Sequence, residues 1–375
     1  MRTFKVALLG GDGIGPEVMG AAMRVLRETG DRFGFALDVT AGLIGQAALD
    51  AAKNALPIET IQLCRASDAV MLGPVGGSRW VKPTAMNHPK QAVLALQGWV
   101  GVYSNLRPIR VYQPLLESST LKPEAVSGVD IMVVRDVSSG LLYGRPRGIE
   151  TVEGRRVATN TETYSDREIE RVARMAFGVA MSRRRQLVLA DWGKVLETGL
   201  LWEEVVAEVA RDYPEVDYRR LDLDTCILLL TLEPTAFDVI LADNTSGDLL
   251  SVQASALTGT FALHPSALLG GQSGGLFSPS HGSAPDLEGK GIANPTAAIL
   301  AGAMMLKYAF NLVDAAHAMR DAVIQALESG ARTCDICPAG VKSLPTEAFT
   351  DQVLAYLPKK LEVPPLPAEA PKVQG

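Results

Sequence analysis

The sequence has few cysteines, no excess of basic residues and no long apolar run, and each absence excludes a class of protein. Four cysteines in 375 residues are too few for a disulfide-rich secreted scaffold and suggest reduced thiols in the cytoplasm. A net charge of −6 argues against a nucleic-acid surface, which requires a basic footprint. No apolar run approaches the roughly 20 residues of a membrane-spanning helix, and we expect no signal peptide before the first strand.

Two of the cysteines, Cys334 and Cys337, form a lone C-x-x-C motif. Such a motif is typical of a redox-active pair or of half a zinc site. No second pair of cysteines or histidines stands nearby in the sequence, so neither role is favoured.

The chain exceeds the usual size of a single core, which predicts two lobes. Apolar strand patterns at Lys5–Leu9 and Asp68–Leu72 alternate with helical patterns, which indicates an α/β fold. The glycines Gly11, Gly13 and Gly15 do not have the G-x-G-x-x-G spacing, so a classical Rossmann unit is rejected.

The middle of the chain contains several short strand patterns in succession, which predicts a β-rich arm. Short strand patterns occur at Leu141–Tyr143, Ile149–Val152 and Arg156–Thr159, with a turn at Glu153-Gly154. An isolated two-stranded hairpin is marginal in water. We therefore expect the arm to pair with another chain.

A small-residue loop near the C-terminal third indicates a nucleotide site. It comprises His281–Asp286 followed by Gly289–Thr296. Small residues let backbone N–H groups approach an anion, and the Asp286 carboxylate suits two ribose hydroxyls. From the residues alone, a plain surface loop is an equally good interpretation.

Five motifs are distributed along nearly the whole chain: Gly11–Glu17, Asn105–Pro108, Val134-Arg135, Gly247-Asp248 and His281–Asp286. They resemble those of the β-decarboxylating dehydrogenases, the isocitrate and isopropylmalate dehydrogenase family, and most closely its isopropylmalate branch. The resemblance implies a two-lobed α/β fold, NAD, Mg²⁺ or Mn²⁺, a small anionic hydroxy-acid substrate and a homodimer. It also implies a nucleotide-binding lobe of residues 1–101 and 254–363 and a substrate and dimerisation lobe of 102–253 with its arm at 141–160. The proline-rich composition of residues 364–375 predicts a disordered tail.

The resemblance also implies the roles of individual residues. The expected cofactor-binding residues are His281, Gly282, Ser283, Ala284, Asp286 and Asn294. The expected substrate-binding residues are Arg107, Arg135, Val93, Leu94 and Gln97, with the valine and leucine facing an apolar substituent. Asp224 and Asp248 are the expected metal ligands. From spacing alone, a structural salt bridge is the favoured interpretation of the two arginines, and Asp248 fits an acid near a helix N-terminus.

The sequence departs from the family where the acid and base are expected. Trp192 stands at the position of the catalytic lysine and Leu142 at that of the catalytic tyrosine, while Val252 replaces a metal carboxylate. Lys194 is the expected replacement base, because it stands two residues after Trp192 in a segment that leaves a strand, where alternate residues share a face. Tyr143 is a second, poorer candidate. Two functions stay open: an NAD-dependent dehydrogenase with altered substrate or acid and base, or a catalytically impaired, ligand-binding regulatory or structural member. A non-redox enzyme on the same scaffold is a weaker third.

Overall fold

The computed structural model describes residues 2–77, 88–270 and 274–359. The chain forms two compact units, one of Met1–Val102 with Thr260–Gly375 and one of Tyr103–Gly259. The second boundary lies six residues beyond the expected end of the middle lobe at residue 253, because a helix continues through that position to Ser255. The expected tail, 364–375, falls outside the described residues.

The elements follow in chain order. The first segment contains β1 (Arg2–Leu9), α1 (Gly15–Phe33), β2 (Phe35–Gly42), α2 (Gly45–Ala52), α3 (Ile58–Ala66), β3 (Ala69–Leu72) and α4 (Pro89–Val100). The middle segment contains β4 (Ser104–Arg110), α5 (Pro123–Val126), β5 (Asp130–Asp136), β6 (Gly148–Val152), β7 (Arg155–Thr159), α6 (Asp166–Met181), β8 (Gln186–Asp191), α7 (Glu197–Ala210), β9 (Asp217–Asp222), α8 (Leu223–Leu232), β10 (Val239–Ala242) and α9 (Asn244–Ser255). The last segment contains β11 (Pro265–Leu269), β12 (Leu276–Pro279), α10 (Thr296–Tyr308), α11 (Val313–Glu328) and α12 (Thr346–Tyr356).

The first unit is built on strands in the order β2-β1-β3-β12-β11. All neighbours are parallel except β11 and β12, which form an antiparallel pair. Its central helix is α10, which is buried along almost its whole length and packs against α1, α11, β11 and β12. A helix that is apolar on all sides has to lie inside the core, so α10 holds the other elements of this unit together.

The second unit is built on strands in the order β4-β5-β10-β8-β9. Only β4 and β5 are antiparallel, while β5, β10, β8 and β9 run parallel. The helix α6 begins with a capping box, in which Ser165 and Glu168 satisfy each other's backbone N–H groups. Parallel strands bring their carboxyl ends to one edge, and that edge carries Arg135, Asp191 and the start of α9.

The predicted hairpin is confirmed, but the strand expected at Leu141–Tyr143 is wrong. Strands β6 and β7 pair antiparallel, and Glu153 and Gly154 both adopt positive φ in the turn. Residues 140–142 instead form a short 3₁₀ turn, in which the N–H groups of Tyr143 and Gly144 both donate to the Gly140 carbonyl. A Ser-Gly pair favours such a turn over extension, so alternation of faces does not apply here.

Three consecutive arginines, Arg183 to Arg185, follow α6. Two of them bond to a buried aspartate, which favours a structural role over a nucleic-acid surface. Arg183 Nε donates to Oδ1 of Asp238 at 2.7 Å, and the Arg184 backbone N–H donates to its Oδ2 at 2.8 Å. Asp238 is almost fully buried, so these bonds satisfy a charge that would otherwise be costly.

Within the described residues, no helix combines the length and the apolar character that crossing a bilayer requires.

Candidate active site

Two arginines and one aspartate form a charge cluster near the parallel edge of the second unit. Arg107 of β4 and Arg135 of β5 both donate through Nη1 to Oδ1 of Asp248, the former at 2.8 Å. Arg107 Nη1 also donates to Ser251 Oγ at 2.5 Å, and Arg135 Nη2 donates to Asn244 Oδ1 at 2.8 Å. The structure thus joins three of the residues predicted from the sequence.

One face of α9 supplies all the partners of this cluster. Asn244, Asp248 and Ser251 are spaced four and three residues apart, so they lie on the same side of the helix. The helix begins at Asn244, because Asp243 caps it by accepting from the backbone N–H groups of Thr245 and Ser246. Gly247 lies against Arg135, and a Cβ there would stand 2.8 Å from the arginine's Cβ and Cγ. A side chain at position 247 would therefore collide with the Arg135 side chain where it packs against α9.

Burial and like charge weaken the proton affinity of Arg135 without neutralising it. Desolvation, with the neighbouring Arg107 charge, lowers the pKa of Arg135 to about 10, while Asp248 opposes the shift. The guanidinium stays charged at neutral pH. The Nε atoms of both arginines are buried without a hydrogen-bond partner among the described residues. An unsatisfied buried donor costs about 1–3 kcal/mol.

The residues of this unit fit a divalent cation only in part. Asp248 is half exposed, but one of its oxygens is already held by two guanidinium groups. Val252, one turn later, offers no donor, and Asp224 is exposed at the start of α8, where its carboxylate accepts from the N–H of Thr225 at 2.6 Å. Among residues 2–77, 88–270 and 274–359, no group of three potential ligands gathers. A metal would thus need substrate oxygens to complete its coordination.

Lys194 lies in a turn, not in a continuation of the strand. Strand β8 ends at Asp191, and the N–H groups of Val195 and Leu196 both donate to the Trp192 carbonyl. The expectation that Lys194 shares a face with position 192 therefore fails. Its ammonium is 71% exposed and donates to Asp222 at 2.5 Å. No hydrogen bond or ion pair connects it to Arg107, Arg135 or Asp248 in the described part of the chain.

Trp192 stands on the wall of a cavity of about 450 Å³ inside the second unit. The lining is mainly apolar, and Leu141, Leu196, Trp202 and Leu249 contribute to it. The indole is 41% exposed. Trp192, which stands where the resemblance implies a catalytic lysine, therefore forms part of an apolar cavity wall.

Tyr143 is closer to the arginine cluster than the sequence suggested. Because residues 140–142 form a turn, its ring comes within electrostatic range of Arg135 and Asp136. Burial raises the pKa of Tyr143 to about 12, against a smaller opposing effect of Arg135. The phenol is therefore protonated at neutral pH, as a proton donor must be.

The small-residue loop of the first unit packs against the first glycine turn. Ser283 is buried and its carbonyl accepts from the Ile14 N–H at 2.9 Å. A Cβ at Gly13 would meet that carbonyl at 2.0 Å, and the φ of Gly13 is +58°, so only glycine fits. Asp12 in the same turn is buried and accepts from three backbone N–H groups, those of Gln46, Ala47 and Gly76. The two glycine-rich segments are therefore fixed together.

The predicted cofactor residues in this loop have groups that fit a dinucleotide. Gly282 is exposed with open space at its Cβ position, and Ala284 has a positive φ of 38°. His281 Nδ1 lies 2.9 Å from the Gly282 carbonyl oxygen, while its Nε2 is buried without a partner among the described residues. Burial lowers the pKa of His281, which keeps the ring neutral. Asp286 is exposed and has no ion pair in the described structure, so its carboxylate is available to ribose hydroxyls.

Asn294 is buried and held on both sides of its amide. Its Nδ2 donates to Asp335 Oδ2 at 3.1 Å, and its Oδ1 accepts from the Thr296 N–H at 3.0 Å. Glu17 of α1 accepts from the N–H of Ala293 at 2.9 Å. Two carboxylates therefore fix Asn294, Glu17 through the backbone N–H of the preceding residue and Asp335 through the side-chain amide.

The remaining predicted substrate residues lie on α4 in the first unit. Val93, Leu94 and Gln97 are partly exposed, while Ala92, Leu96 and Val100 are buried. The contact of Val93 and Leu94 with an apolar substituent stays a prediction.

The sequence did not identify Asn244, Ser251 and Asp335, whose side chains hydrogen-bond to the predicted site residues. Asn244 and Ser251 could have been found from their helical spacing around Asp248. Asp335 gave no signal, since 41 residues separate it from Asn294.

An α/β protein with a small-residue loop in one unit and paired arginines in the other has the features of a nucleotide-dependent protein that acts on small anions. A family model described as isocitrate/isopropylmalate dehydrogenase matches residues 5–353, and the chain belongs to that family. The family consists of NAD-dependent hydroxy-acid dehydrogenases, and the predicted fold class is confirmed.

Individual relatives cover nearly the whole chain. A 3-isopropylmalate dehydrogenase of Aquifex aeolicus is 42% identical, covering 95% of this chain and 98% of its own. One of Methylococcus capsulatus is 44% identical, covering 95% and 99%. Among solved structures, isocitrate dehydrogenase from Methylococcus capsulatus matches with a TM-score of 0.83 at 29% identity over 95% and 99% of the chains. A β-decarboxylating dehydrogenase from Thermococcus kodakarensis matches at 0.76 and 30% identity over 94% and 96%.

The arginine cluster predicts unequal effects of removing its two arginines. Arg135→Ala leaves Asn244 without its donor and opens a buried site, so we expect a loss of about 3 kcal/mol in the free energy of unfolding. Arg107→Ala leaves Asp248 paired with Arg135, and we expect a loss of about 1 kcal/mol. Urea unfolding measures both, with Arg110→Ala on the same strand as the control. Equal losses in the two variants would contradict the described geometry.

Proposed function

We propose that the chain oxidises, with decarboxylation, a malate that carries an apolar substituent, using NAD as the hydride acceptor. The observation that carries the proposal is the Arg107–Arg135–Asp248 cluster, in which two guanidinium groups with one carboxylate between them suit a substrate carboxylate. Val93 and Leu94, partly exposed on α4, support an apolar substituent rather than a third carboxylate. In this proposal the first unit binds the dinucleotide, and Arg107 and Arg135 of the second unit bind a carboxylate of the hydroxy acid. The free cysteines fit the expected cytoplasmic setting.

The proposed chemistry assigns distinct tasks to the residues. Arg107 and Arg135 hold the carboxylate groups and so fix the orientation of the hydroxyl-bearing carbon. Asp248 balances their charge and is the proposed ligand, with Asp224, of Mg²⁺ or Mn²⁺, which when bound polarises the hydroxyl and ketone oxygens. His281, Gly282, Ser283, Ala284, Asp286 and Asn294 hold NAD, with Asp286 on the ribose hydroxyls.

A direct assay tests the proposal and the choice of cofactor together. The purified protein with Mn²⁺ is given NAD or NADP and malate, 3-methylmalate, 3-isopropylmalate or isocitrate. We expect reduction of NAD with the alkyl-substituted malates and weaker use of NADP, because Asp286 repels a 2′-phosphate and Leu287 beside it offers no cation. Preference for isocitrate or for NADP would contradict the proposal.

The second function is a catalytically impaired member that binds these ligands as a regulatory or structural partner. Trp192 and Leu142 at the acid and base positions favour it. A positioned acid or base contributes roughly 10²–10⁴-fold, so unreplaced losses would leave almost no turnover. Calorimetric binding of NAD and 3-isopropylmalate without any NAD reduction would support this second function.

For the altered acid and base we predict that Tyr143 matters more than Lys194. Tyr143→Phe removes a protonated phenol beside Arg135, and we expect kcat to fall about 10²-fold. Lys194→Met removes an exposed ammonium paired with Asp222, and we expect a much smaller loss. Tyr213→Phe, which alters a phenol stacked on Phe177, is the matched control. The reverse order of effects would restore Lys194 as the base.

We also propose that the hairpin of β6 and β7 assembles two copies of the chain. Every residue of both strands is exposed, including Val152 and Val157, which lie on one face of the hairpin. A bare two-stranded hairpin that exposes two valines on one face is unstable alone. Sedimentation equilibrium of the 39.9 kDa chain should give twice that mass, and Val157→Asp should shift it towards the monomer. A monomeric wild-type protein would contradict the proposal.

A further inference from the structure

The C-x-x-C motif flanks the carboxylate that fixes the cofactor-site asparagine. Asp335 lies between Cys334 and Cys337. Its Oδ2 accepts from Asn294 Nδ2 and from Thr260 Oγ1, each at 3.1 Å, and its Oδ1 accepts from Thr333 Oγ1 at 2.6 Å. One side chain between two thiols thus connects three separate segments of the first unit.

Both thiols are free and differ from the other two cysteines in accessibility. Cys334 is exposed and Cys337 is half-buried. Cys64 and Cys226 are buried, and burial raises the pKa of each to about 12. Thiolates are the reactive species, so Cys64 and Cys226 are inert under conditions in which the pair can react.

The segment between the two thiols has no regular secondary structure. Residues 331–341 contain turns but no helix or strand, and a 3.2 Å backbone hydrogen bond from the Ile336 N–H to the Thr333 carbonyl closes the first turn. The Cys334 thiol points to the Ile292 carbonyl at 3.7 Å and the Cys337 thiol to that of Val341 at 3.2 Å. A disulfide brings its two sulfur atoms to about 2.05 Å, so both thiols must turn away from these carbonyls, and the turn that carries Asp335 must change with them.

We propose that Cys334 and Cys337 form a reversible disulfide that draws Asp335 away from Asn294 and weakens dinucleotide binding. The inference rests on the proposed role of Asn294 in holding NAD. The oxidant is a low-molecular-weight disulfide. One cysteine thiolate attacks it and releases one thiol, and the second cysteine attacks the mixed disulfide and releases the other. Two protein thiols are oxidised, the small disulfide is reduced to two thiols, and the protons pass to those products.

The test compares NAD binding by the full-length protein in its two redox states. Calorimetry gives the Kd after treatment with dithiothreitol or with oxidised glutathione, and peptide mass spectrometry locates the bond. We expect oxidation to raise the Kd of the wild type at least fivefold, the lower range of coupling between sites. Cys334→Ser and Cys337→Ser should show the reduced value under both conditions. Asp335→Ala should show a raised Kd in both states, with no change in 3-isopropylmalate binding.

Two results would overturn the inference: an internal Cys334–Cys337 disulfide that leaves the Kd unchanged, or glutathione adducts without the internal bond. If the reduced protein does not bind NAD at all, the proposed function fails by itself. The coupling is then decided by amide hydrogen exchange of residues 292–296. Faster exchange after oxidation supports the connection through Asp335, and unchanged exchange overturns it.

Discussion

The buried guanidinium of Arg135 is the constraint on which the second unit depends. A charge this well buried has to be paired and hydrogen-bonded, and Asp248 and Asn244 on α9 provide both. The helix can present them only because Gly247 leaves room for the arginine's stem. The same arrangement brings Arg107 to Asp248 and leaves donors of both arginines unsatisfied. Structure and proposed binding therefore rest on one set of contacts.

Carboxylates have the corresponding organising role in the first unit. Asp12, Glu17 and Asp335 each accept from groups in separate segments, so that loops without regular structure keep a defined conformation. A carboxylate that accepts several N–H groups replaces the hydrogen bonds that a helix or strand would supply. The loop carrying Asp286 thus keeps an exposed, unpaired acid on a fixed backbone. This is the arrangement that ordered recognition of ribose hydroxyls requires.

The sequence predicted the elements better than the geometry of the site. Short apolar runs identify β1 and β3, and the turn at Glu153-Gly154 between two strand patterns identifies the hairpin. The motifs lead to Arg107, Arg135 and Asp248, but not to their contact across 141 and 113 residues. Face alternation misjudged both Lys194 and Tyr143, because Lys194 lies in a turn and Tyr143 follows one, and local hydrogen bonds close both turns. Such turns depend on a few backbone bonds that composition does not specify.

The proposed function requires that this protein transfers a hydride from the hydroxyl-bearing carbon of a substituted malate to NAD, although Trp192 and Leu142 stand at the positions expected for the base and the acid. The most direct measurement is mass analysis of the reduced cofactor formed from NAD and 3-isopropylmalate deuterated at that carbon. We expect the wild type to form reduced cofactor that carries one deuterium, and Arg107→Ala to form much less of it. Binding of both ligands with no labelled cofactor would contradict it.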